Sequence, residues 1–147
     1  MRIVQHTIWI SRPPEHVFDF FADFSKAPCW RQYVKTMERL DDGPLRAGSR
    51  VHVTMELVGE PYVFDMEVLE CERPSRWRHR SNETDFFGFV EYRFDPEQSG
   101  TRVTMTIEAK PANLYGWLGL PLMLLGRRRG KPYADQLAQL KRAVEGA

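Results

Sequence analysis

Leu114-Tyr115-Gly116-Trp117-Leu118-Gly119-Leu120-Pro121-Leu122-Met123-Leu124-Leu125 leads into a basic knot, Arg127-Arg128-Arg129 with Lys131, and then into Tyr133, Leu137, Leu140 and Val144 at helical spacing. The second half of this stretch is an amphipathic helix with a true packing stripe. The first half is too apolar, and too interrupted by Gly and Pro, to be its simple continuation. Nearly every earlier segment alternates as a strand. A long helix following a run of strands must bury its stripe against the one large partner on offer, a curved sheet. The expectation is an α+β protein in which the terminal helix closes over a sheet and leaves an apolar cavity. The dozen-residue greasy run falls short of the roughly 20 residues that span a bilayer.

Working back from the helix, Thr101 to Lys110 puts Val103, Met105, Ile107 and Ala109 on one face, as a strand requires. Asp95 to Gly100 reads as the preceding turn, after a strand from Phe86 to Phe94. Arg76 to Asn82 sets Trp77, His79 and Ser81 against Arg78 and Arg80. Tyr62 to Glu72 carries Phe64, Met66 and Val68 inward, and parity puts Glu70 inward while Asp65 and Glu67 face out. Gly59-Glu60-Pro61 is a hairpin turn, and Arg50 to Val58 alternates with Val51, Val53, Met55 and Leu57 inside. Asp41 to Ser49 is dense in turn formers, and Val34 to Leu40 reads as a strand. Ile3 to Ile10 is the first strand, with Val4, His6, Ile8 and Ile10 inward. Ser11 is the expected cap of a helix beginning at Pro13-Pro14-Glu15, with Val17, Phe18, Phe20, Phe21 and Phe24 on its apolar face and its end near Asp23. A second short helix or turn covers Lys26 to Trp30, and Trp30 and Tyr33 read as packing residues. Successive short connections predict antiparallel pairing, wet on one face.

The chain has 147 residues, 42% hydrophobic and 28% charged, which fits one domain over 1–147. A net charge of +1 offers no field for nucleic acid. Two cysteines, Cys29 and Cys71, make no disulfide framework. The first residues lack the apolar core of a signal peptide, so the expected compartment is the cytoplasm. Four histidines show no spacing of the kind zinc sites favour, and neither a phosphate loop nor a nucleophile elbow is present. Neither a metal nor a cofactor is expected.

Four stretches resemble a known family. Ile8-Trp9-Ile10-Ser11-Arg12-Pro13-Pro14-Glu15-His16-Val17-Phe18 resembles the strand-to-helix entry of the START-like (SRPBCC, helix-grip) superfamily. Gly43-Pro44-Leu45-Arg46-Ala47-Gly48-Ser49-Arg50 resembles its loop before the third strand, Ser99 to Thr104 its last hairpin, and Leu137 to Glu145 its terminal helix. The order runs through essentially the whole chain and is most similar to the polyketide cyclase/dehydrase and coenzyme Q-binding branch. The resemblance implies six to seven antiparallel strands around a long C-terminal helix, with two short helices after the first strand. Members include lipid and steroid carriers, aromatases and cyclases, hormone receptors and chaperone partners. The motifs therefore imply a pocket and leave the reaction open.

Three functional readings follow. The first is sequestration or transfer of a small hydrophobic molecule such as a polyketide, lipid or quinone-like compound. Its expected wall is Val53, Met55, Phe64, Met66, Trp77, His79, Tyr92, Met105, Leu114, Trp117, Leu118 and Pro121. The second is a cyclase or dehydratase with His6 or Glu70 as base and Tyr92 holding a developing enolate, Arg80 serving only in another register. For His6 the alternative is a core histidine bonded to a nearby acceptor. Asp85 stands at the expected cavity rim, whereas His52 faces solvent and His16 sits on the first helix, so neither is a site candidate. The third reading concerns 114–125 as a lid, a buried wall, or a patch that docks on a membrane surface, a protein partner or a second copy as a homodimer, with the basic residues to 131 meeting anionic headgroups.

Overall fold

In the computed structural model, residues 2–57, 59–82, 86–111 and 130–147 are described. The elements are β1 (Arg2–Ile10), α1 (Pro14–Ala22), a 3₁₀ helix (Phe24–Cys29), β2 (Val34–Arg39), β3 (Arg50–Leu57), β4 (Glu60–Glu72), β5 (Arg76–Asn82), β6 (Phe86–Glu97), β7 (Gly100–Pro111) and α2 (Gly130–Glu145). Seven strands form one antiparallel sheet in the order β1-β7-β6-β5-β4-β3-β2. From β2 to β7 each strand pairs with the next in the chain, as short connections favour, and only β1–β7 joins distant segments. This is the expected helix-grip architecture.

Val51, Val53, Met66, Val68, Trp77, Tyr92, Phe94, Val103 and Met105 are buried on the inner face, with Met55, Phe64, Val90 and Ile107 packed beside them. Charged pairs occupy the other face: Arg80 Nη2 meets Glu67 at 2.7 Å and His52 Nδ1 meets Asp65 at 2.7 Å. Helix α2 buries Leu137, Leu140 and Val144 completely or nearly so. Each such side chain contributes about 1.5–3 kcal/mol by leaving water. Helix α1 adds Phe18 and Phe21, whose rings lie 5.2 and 5.3 Å from Phe94.

Four local expectations need correction. Glu70 faces outward, where its carboxylate reaches Arg76 Nε at 3.1 Å. The register of β4 shifts between Val68 and Glu70, so Val68 opposes His79 while Glu70 opposes Arg78. A bulge inserts one residue and inverts parity beyond it. Ser11 does not cap α1. The N-cap is Pro13, without a side-chain bond, and Ser11 N–H and Oγ instead donate to Glu145 Oε2 at 3.0 and 2.8 Å. Pro13 has no side-chain acceptor to offer the first-turn N–H groups that a cap would satisfy. The last hairpin is tighter than a six-residue turn, because Glu97 pairs with Gly100 and only Gln98 and Ser99 lie between, both at positive φ. Tyr33 is not a packing residue: it is exposed, with φ of 65°.

Candidate functional site

Registers across the inner face align side chains in rows. Cys71 opposes Trp77, Trp77 opposes Tyr92, Tyr92 opposes Met105, and Met105 opposes His6. Five adjacent strands thus contribute to one row. His79 stands in the next row, between Val68 and Val90. Strand spacing puts His6 and Tyr92 about 10 Å apart, too far to touch but near enough to flank one small molecule.

The polar part of this wall is completed by a residue that strand parity could not nominate. Asp23 closes the start of the 3₁₀ helix by accepting from Ser25 N–H at 3.1 Å. At its far end Arg31 N–H donates to the Ala27 carbonyl at 2.8 Å, and the left-handed Tyr33 turns the chain into β2. Arg31 is thereby buried at 9% exposure. Its guanidinium carbon lies 4.3 Å from the Trp30 ring centre and 5.1 Å from that of Phe21. Those cation–π contacts offset part of the cost of burying the charge. Among the described residues, Arg31 Nε and Nη2 have no hydrogen-bond partner.

Around this cation the ionisation states are set by burial. Arg31 itself is pulled below its ordinary pKa by desolvation, which Tyr92 opposes. Burial pushes the Tyr92 phenol up while Arg31 draws it down, and the hydroxyl accepts a long bond from Gln136 Nε2 at 3.4 Å. Gln136 Oε1 also accepts from Gln32 N–H at 3.3 Å. His79 is depressed to about 3, first by desolvation and then by the Arg31 charge. Trp77 Nε1–H donates to His79 Nδ1 at 2.8 Å. An indole nitrogen can only donate, so the neutral imidazole carries its proton on Nε2. His79 is therefore a donor in this wall and has no free lone pair for general-base work.

Val53, Met55, Phe64, Met66, Trp77, His79, Tyr92 and Met105 all lie on the inner face, buried or half-buried. His6 is half-buried in the same row, and its Nε2 is buried with no partner among the described residues. Glu70 is on the opposite face, and Arg80 is paired there with Glu67. Leu114, Trp117, Leu118 and Pro121 lie outside the described residues, as do Asp85 and most of the 114–131 segment. Arg31 and Gln136 were not legible as site residues. The available signals were a cation between two aromatics, Trp30-Arg31-Gln32-Tyr33, and an amide beside the apolar stripe of α2.

A separate surface groove of about 570 Å³ lies between α1, the 3₁₀ helix and the end of α2, lined by residues that include Phe20, Lys26, Cys29 and Arg142. None of its described lining residues lies on the inner sheet face, though Phe20 and Ala143 are part of the same core from the helix side. Among the described residues, no group of three or more His, Cys, Asp or Glu is placed to hold a metal ion. No helix among them is long and apolar enough to cross a membrane.

A family model described as "Polyketide cyclase / dehydrase and lipid transport" matches residues 1–145. The chain belongs to this family. Among curated proteins, none matches by sequence. Solved structures of the same shape include TTHA0849 from Thermus thermophilus, with 23% identity, a TM-score of 0.74 and 97% of each chain covered. The Zhui aromatase/cyclase from Streptomyces sp. R1128 superposes with a TM-score of 0.66 at 14% identity, over 95% of this chain and 93% of that one. Ara h 8.0201 gives 0.75 at 10% identity over 97% of both chains. At these identities the structural likeness establishes the helix-grip fold. Membership of the polyketide cyclase/dehydrase and lipid-transport family supports a role in binding or cyclising a hydrophobic molecule.

Proposed function

We propose that this family member binds a small hydrophobic molecule, such as a polyketide, lipid or quinone-like compound, between the inner sheet face and α2. One observation carries the reading. The inner wall is largely aliphatic and aromatic, and among the described residues the buried Arg31, Tyr92 and His79 gather at one place in it, with His6 half-buried further along. A pocket needs this combination: apolar area for affinity and a few fixed polar groups for orientation. Sequestration or transfer requires nothing further of the residues. Titration with pyrenebutanol, followed by energy transfer from the buried Trp30 and Trp77, should show saturable binding of one molecule per chain. Met66→Trp, which fills the wall, should weaken it, with circular dichroism reporting that the fold persists. Absence of saturable transfer in the wild-type protein would exclude the reading.

His6 favours a second reading, a cyclase or dehydratase. Its buried Nε2, without a partner among the described residues, shares a row with the Tyr92 hydroxyl, so a ketone lying along that row would meet a base at one end and a donor at the other. Glu70 takes no part, since it faces away. On this reading His6→Phe abolishes turnover of a poly-β-ketone substrate while pyrenebutanol still binds. Equal turnover by wild type and His6→Phe would remove His6 as the base.

A further inference from the structure

Arg31 is the only buried arginine among the described residues. The edge it leaves without a partner, Nε and Nη2, has a defined use elsewhere in this chain. Arg73 presents that edge to both oxygens of Asp19, at 2.7 and 2.9 Å. Arg102 does the same to Glu97, at 2.9 and 2.7 Å. Arg80 holds Glu67 Oε2 with both nitrogens, at 3.1 and 2.7 Å. The two N–H bonds on this edge run parallel and match the two oxygens of a carboxylate.

In Arg31 the same edge is built and desolvated, and among the described residues no carboxylate meets it. None of the ion pairs among the described residues includes Arg31. Outside the described residues, 112–129 contains no Asp or Glu, and the acidic residues are Glu83 and Asp85. Contact with the faces of Trp30 and Phe21 restrains the guanidinium, so little freedom is lost when an anion arrives. A buried cation kept without a counter-charge is costly, and a ligand that supplies the charge removes that cost.

We propose that Arg31 is a carboxylate seat inside the apolar wall, and that the ligand is a hydrophobic carboxylic acid bound as its anion. The inference rests on the reading that the inner face holds a hydrophobic ligand. The acid's two oxygens take the Arg31 edge, the neutral Tyr92 hydroxyl stands on the same wall as a further donor, and the apolar body lies along the Met66, Trp77 and Met105 surface.

The test compares pyrenebutyrate with pyrenebutanol, which share an apolar body and differ in the anionic group. Wild-type protein should bind the acid roughly tenfold to a hundredfold more tightly, as charged hydrogen bonds in a dry site do. The preference should persist in about 1 M salt, where screening acts beyond about 3 Å, because the site is buried; binding at Lys26 or Arg142 on the surface would lose it. Arg31→Met should bring the ratio near one, and Arg31→Lys should keep only part of it because a point charge lacks the fork. If wild type binds both probes equally, the carboxylate seat is wrong and hydrophobic binding stands. If neither probe binds, the underlying reading fails and the seat fails with it. Should Arg31→Met not fold, the wild-type ratio and the Arg31→Lys variant decide the matter.

Discussion

Trp77 donates its indole N–H to Nδ1 of His79 at 2.8 Å, and this bond fixes the second ring as a neutral Nε2–H tautomer. With the pKa depressed to about 3, His79 should show no titration between about pH 8 and 5 in ring-nitrogen NMR. The unfolded chain takes up a proton near pH 6.5 and the folded chain does not. Stability from this group is therefore complete above about 6.5 and falls as pH drops toward 3, with a limiting slope of about 1.4 kcal/mol per pH unit. His79→Gln should flatten the dependence of Tm on pH across that window. A His79 ring titrating near 6.5 in the folded protein would contradict this placement.

Glu145 ties the end of α2 to the start of α1. Its carboxylate accepts from Ser11 N–H, Ser11 Oγ and Lys141 Nζ, and these bonds hold its pKa down at about 2. Because the folded value lies below the usual carboxylate range, the stabilisation is present above about pH 4.5 and disappears as pH falls toward 2. Glu145→Gln should lower Tm at neutral pH, and its curve should converge on wild type at the acid end. Two curves that stay parallel down to pH 2 would show that the tie contributes nothing.

Gly100 is needed because other atoms come too close. A Cβ at this position would meet the Trp9 ring at 2.6 and 2.7 Å and press on the Ile10 carbonyl oxygen. Trp9 is held there by its Nε1–H bond to the Glu97 carbonyl at 2.9 Å. Gly100→Ala should destabilise by about 1–3 kcal/mol, since overpacking forces backbone shifts. Trp9→Ala in the same chain should recover only part of the loss, because the Ile10 oxygen remains. Chemical denaturation measures both, and a neutral Gly100→Ala would contradict the packing at this corner.

Glu70→Ala should leave pyrenebutanol binding unchanged while removing the Arg76 pairing on the outer face. A large loss of binding would mean that β4 is wrongly registered. The same residue shows where sequence reading stops. Alternation in Val51, Val53 and Met55, or in Val103 and Met105, carries facing correctly because one hydrophobic face must be buried along an unbroken strand. A bulge at Leu69 adds one residue without any marker in the composition, and parity beyond it inverts. Arg31 escaped for a related reason: it lies between a 3₁₀ helix and a strand, where no period applies. Ser11 reads locally as a cap, but its N–H and Oγ go to the Glu145 carboxylate 134 positions away, a partner no local pattern shows. The family resemblance was legible because the turns and the α2 stripe recur at fixed places, and those features specify the fold rather than the ligand.

The central claim is that a hydrophobic molecule occupies the wall formed by Met66, Trp77, Tyr92 and Met105. Native mass spectrometry of the full chain, before and after organic extraction, tests it most directly once pyrenebutyrate has been added in excess. The account predicts a one-to-one complex that extraction returns to the bare chain, and that Met66→Trp largely fails to form. A spectrum showing only the bare chain, or non-stoichiometric adducts equally abundant in wild type and Met66→Trp, would contradict it.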